Sequence, residues 1–81
     1  MDEALWARLQ AMRLEYVAKA PQRRQGYFVA FCKPQGEAWR LELGSETREE
    51  VMRIIQGWQE RRPHVRMEWV VVGPEAGDGA K

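Results

Sequence analysis

Few side chains in this chain have types suited to chemistry: one cysteine, one histidine and a set of scattered charges. Cys32 is followed directly by Lys33, and positive neighbours lower a thiol's pKa and raise its reactivity. A nucleophilic thiol also needs a base, and no His, Asn or Asp is placed beside it by the sequence, so a small packed hydrophobe is the competing reading. His64 follows Pro63, where a lone imidazole is a solvated loop residue unless other groups converge on it. Glu49 and Glu50 fall in the first turn of a helix and face different directions. Acids there complement the helix dipole and make a poor catalytic dyad. A single Cys excludes an internal disulfide and, with a single His, a Cys/His zinc site of ordinary ligand count. Phosphate loop, dinucleotide fingerprint and nucleophile elbow are all missing. The expectation is a protein that is not an enzyme and takes no cofactor or metal.

Binding chemistry has more to work with. Lys33, Arg61, Arg62, His64 and Arg66 are expected to gather at one end, and the guanidinium fork suits phosphate. The competing reading is that basic groups in a helix's last turn complement its dipole and are otherwise solvated. Thirteen Lys plus Arg against twelve Asp plus Glu give a formal charge of +1, so no overall field steers the molecule to nucleic acid or membrane. The strand-strand-helix-strand order resembles parts of several small RNA-binding folds, but their Gly-x-x-Gly clamp and aromatic strand motifs are missing.

A hairpin over 26–43 organises the elements. Lys33-Pro34-Gln35-Gly36 places Pro and Gly as a three-residue loop with a bulge requires, which sets Lys33 against Glu37, Phe31 against Trp39 and Val29 against Leu41. One face is then apolar: Tyr27, Val29, Phe31, Trp39, Leu41, Leu43. Residues 2–19 carry Leu5, Leu9, Met12 and Tyr16 at helical spacing, with Trp6 and Arg13 alongside, and Pro21 ends the run. A second helix starts at a Thr47/Glu50 capping box, repeats Val51, Ile54, Ile55 and Trp58, and stops near Arg61 before Pro63. Residues 65–72 alternate as a third strand.

These elements predict a single small α+β domain over 1–72, ordered αββαβ, with a three-stranded mixed sheet of order 2-1-3 and two helices packed on one face. A polar tail over 73–81 is expected to be disordered. No apolar run approaches membrane-spanning length and no signal pattern opens the chain, so a cytoplasmic protein is expected, of the kind found among phage or plasmid accessory products. The other sheet face would stay open, carrying Phe28, Ala30, Arg40, Glu42, Arg66, Glu68, Val70 and Val72, with Cys32 near Arg66. An uncovered apolar strip invites a partner. The expected function is a non-catalytic interaction module, an adaptor or inhibitor, that forms a homodimer or docks on another protein through this face. The alternative is a nucleic-acid-binding accessory protein that uses the basic end.

Overall fold

The computed structural model describes residues 2–23 and 26–74. Its elements are α1 (Glu3–Ala18), β1 (Phe28–Pro34), β2 (Arg40–Ser45), α2 (Arg48–Arg61) and β3 (Met67–Val72). The order αββαβ and the strand order β2-β1-β3 are as the sequence predicts. Both neighbours of β1 run antiparallel to it. The "mixed" label is therefore corrected: β2 and β3 share a direction, as a crossover requires, but β1 separates them and no parallel pair is hydrogen-bonded.

Both helices begin at side-chain caps. Asp2 accepts the Ala4 N–H at 3.1 Å, and Thr47 accepts the Glu50 N–H at 3.1 Å, each satisfying one of the amide donors that a helix start leaves unpaired. Glu3 in α1, and Glu49 and Glu50 in α2, lie in first turns, where the dipole favours them.

The main correction concerns layers. Leu9 of α1 packs with Val29, Phe31 and Val72, with Leu5, Trp6, Met12, Tyr16, Trp39, Leu41 and Val70 around them. Val51 and Ile55 of α2 pack with Ala30, joined by Phe28, Leu43, Trp69 and Val71. Adjacent residues of a strand point to opposite faces, so Phe31 and Ala30 belong to two separate cores, and each helix covers one face. The expectation of two helices on one face is overturned.

Two registers account for this. At the hairpin, the Glu37 N–H bonds to the Pro34 carbonyl at 2.9 Å with Gly36 at φ 81°, a turn that glycine enters without strain. The ladder resumes only at Cys32↔Arg40 and Phe31↔Leu41, two residues later on β2 than the loop rule implies. A bulge at Glu42 then shifts the pairing to Ala30↔Leu43. That extra residue turns Leu43 to the α2 side while Leu41 stays on the α1 side. On the other side of β1 the pairs are Phe31↔Val70 and Ala30↔Val71, whereas an open face shared by Phe28 and Val70 needs a register offset from this one by an odd number of residues. An odd offset exchanges every side chain between faces, which places Trp69 and Val71 beneath α2.

Residues 75–81 of the expected tail lie outside the described residues; of the two tail residues described, Gly73 is buried and Pro74 exposed.

Arg13, 4% exposed, ties α1 to the start of β1: its Nε donates to the Tyr27 carbonyl at 3.0 Å and its Nη1 to Gln10 Oε1 at 3.3 Å. Next to it, Tyr16 and Tyr27 close over Gly44. A Cβ at position 44 would lie 2.9 Å from Tyr16 Cε2 and 3.2 Å from Tyr27 Cδ2. Tyr16 has little room to yield, because Arg23 covers its ring at 3.7 Å and Nη1 of Arg23 bonds to its carbonyl at 2.7 Å. Gly44→Ala is expected to cost about 1–3 kcal/mol, the usual range for overpacking, read as a lower urea midpoint at unchanged slope.

Candidate functional site

The eight residues expected on one open face do not share a face. Phe28 and Ala30 lie on the α2 side, and Ala30 is fully buried beneath Val51 and Ile55. Val70 and Val72 lie on the α1 side, where Val72 is fully buried. Arg40 and Glu42 are exposed on β2, and Glu68 is exposed on β3 opposite Lys33. Arg66 precedes β3 and is exposed. The Arg40–Glu68 pairing over Ala30 that an open face would permit is replaced. Arg40 meets Glu42 at 3.4 Å and Glu37 at 3.5 Å.

Cys32 is fully buried opposite Trp69 and Arg40, with Arg66 no longer its cross-strand neighbour. Its thiol donates to Glu42 Oε1 at 3.6 Å. Burial pushes the Cys32 thiol up; the Arg40 guanidinium pulls the other way and Glu42 adds to the rise. A buried thiol held protonated is a poor nucleophile. Cys32 is therefore expected to resist alkylation at neutral pH and to react fully once the protein is denatured, as read by mass spectrometry before and after denaturant. The linked stability is intact where unfolded thiols are protonated, and it declines as alkaline pH ionises the unfolded chain first.

Of the five basic residues expected at the hairpin end, Lys33 and Arg66 lie together there. Lys33 and Arg66 line a shallow cavity of about 240 Å³ with Gln35, Gly36, Met67 and Glu68. Arg61, Arg62 and His64 are exposed along the segment that leads from α2 to β3, and the Arg62 guanidinium lies 4.9 Å from the Trp58 ring centroid. Trp58 in turn meets Trp69 edge to face at 5.7 Å. The aromatics at this end are thus engaged with one another and with Arg62, while Glu68 places a negative charge inside the cavity lining. A second hollow of about 290 Å³ lies between α1 and β2, lined by Met12, Glu15, Tyr16, Lys19 and Leu41.

The strand order leaves two outer edges, β2 and β3, and they differ in character. Sheet edges present unpaired amides and carbonyls that recruit foreign strands, and proteins blunt them with charges, bulges or a covering element. The β2 edge carries such devices: the bulge at Glu42, the exposed charges Arg40 and Glu42, and Gly44 within six residues. The β3 edge is straight, pairing with β1 from Met67 to Val72 at constant offset. Its one charge is Glu68; Met67, Trp69, Val70 and Val71 are apolar and keep accessible surface although a helix packs on each side. Leu14, 55% exposed, stands on the flank of α1 opposite Met12. The sequence analysis does not single out Trp69, Val71 or Met67, which line this edge. The available signal was the run Val70-Val71-Val72, apolar to both faces in a strand placed at the rim of the sheet.

Among the described residues no helix is long and apolar enough to cross a membrane, and no three His, Cys, Asp or Glu side chains are grouped as metal ligands. No family model matches the chain, and no curated protein or solved structure is significantly similar to it.

Proposed function

We propose that this protein is a non-catalytic interaction module whose working surface is the outer edge of β3. It binds by accepting an extended strand from a protein partner, so that main-chain hydrogen bonds supply affinity and the flanking apolar side chains supply specificity. The observation that carries this reading is the asymmetry of the two edges: the guarding devices concentrate on β2, and β3 is straight and valine-rich. An apolar edge of this kind attracts strands non-specifically if nothing is provided to cover it. The burial of Cys32, the one thiol of the chain, favours binding over catalysis.

A peptide spanning residues 65–73, titrated into isotope-labelled protein, tests the strand-accepting edge. Amide shifts confined to 66–73 are expected. Shifts at β2 alone, or none at saturating peptide, would remove the reading.

A second reading attaches to the hairpin end, favoured by Lys33 and Arg66 side by side there and by the exposed Arg61, Arg62 and His64 on the segment that leads into β3. It is a weak, sequence-independent contact with nucleic-acid phosphate. The slope of log affinity against log salt should approach the number of phosphates neutralised, and Arg61→Gln with Arg62→Gln should flatten that slope by about two. Electrophoretic mobility at low ionic strength with mixed DNA and RNA measures it, and no retention there would dispose of it.

A further inference from the structure

We infer that the strand received at the β3 edge is β3 of a second copy of this chain, paired antiparallel across a two-fold axis perpendicular to the sheet. The inference rests on the strand-accepting reading and adds the identity of the partner. Directly opposed residues in an antiparallel ladder point to the same face, so a two-fold of this kind pairs residues of like parity, and the axis must pass through one residue that meets itself. An axis at Val70 sets Val70 against Val70 of the partner copy, Trp69 against Val71 twice, Glu68 against Val72 twice and Met67 against Gly73 twice.

Three features favour a copy of the same chain. Aromatic and β-branched side chains are among the favourable cross-strand pairs, and this register makes two of them at the centre. The one charge of the strand, Glu68, lies two positions from the axis, so the two carboxylates fall on opposite sides of it and do not face each other. The chain carries a formal charge of only +1, so two copies approach with almost no mutual repulsion. The face-preserving axis also brings the two α1 helices to one side of a continuous six-stranded sheet. An isologous contact of this type closes on itself and uses up both exposed edges, leaving only the guarded β2 strands at the ends.

Sedimentation velocity of the full chain from about 1 μM to about 1 mM should show the weight-average mass rising from one chain toward two. Val70→Cys in a Cys32→Ala background should give a covalent dimer under mild oxidation, because the self-opposed position brings the two β-carbons close to disulfide distance. Gln35→Cys in the same background, at the exposed hairpin tip, should stay monomeric under the same treatment. A chain that stays monomeric at 1 mM, or that cross-links equally through position 35, overturns the inference. Binding of the 65–73 peptide to a chain that does not self-associate would overturn the second copy alone and leave the strand-accepting edge standing; failure of both would remove both.

Discussion

Ala30→Glu is expected to abolish the folded state. Ala30 is fully buried at the middle of the central strand, with Val51 and Ile55 of α2 directly over it. A carboxylate there is set among the apolar side chains of Val51, Ile55, Phe28, Leu43, Trp69 and Val71. It must enter unpaired or take up a proton, and either way the penalty is several kcal/mol. A chain of 81 residues has about 4–12 kcal/mol of stability in total. Circular dichroism at 25 °C should therefore show loss of cooperative unfolding, with the exposed site Gln35→Glu as the control that folds normally. Were this sheet face open, Ala30→Glu would be a mild surface change, and a cooperative transition within 1 kcal/mol of wild type, on the scale of ordinary surface substitutions, would contradict the two-layer covering.

Phe31→Ala is expected to cost about 3–5 kcal/mol through the cavity left on the other face. Phe31 is the largest fully buried side chain and meets Leu9 of α1 with Val29 and Val72. A small domain has little adjacent mass to collapse into the space, and α1 reaches the sheet through this one cluster, held in addition by Arg13 at the Tyr27 carbonyl. The expected readout is a urea midpoint lowered by more than half, with Phe31→Leu recovering most of it.

The difference between these neighbours marks how far the sequence could be read. Element order, the Thr47 cap and the strand order were legible from Thr47 three residues before Glu50, the apolar helix periods and the crossover rule, whereas the Asp2 cap and the hairpin register were not. Layering does not follow from local rules, because it depends on register. In β2 the bulge at Glu42 puts two consecutive leucine positions on opposite faces, where strict alternation assigns Leu41 and Leu43 to one. In β3 the residues Trp69 to Val72 are all apolar, so hydrophobic pattern gives no preference between pairing Val70 with Phe28 and pairing it with Phe31. Helix α1 settles the matter through size: Leu5, Leu9, Met12 and Tyr16 need an apolar floor of their own, and Val70, Val72, Val29 and Phe31 supply it. The candidate site moved for the same reason. Once both faces are covered, the apolar surface left over is at the rim, and the rim of β3 has the fewest guards.

Amide hydrogen exchange followed over a dilution series tests the β3 edge most directly, since it reads backbone pairing without altering a side chain. Amides of β3 that point away from β1 should be protected at high protein concentration and lose that protection on dilution, while the outward amides of β2 exchange at the same fast rate throughout. Outward β3 amides that exchange as fast as those of β2 at every concentration would show that nothing pairs with this edge and would contradict the account.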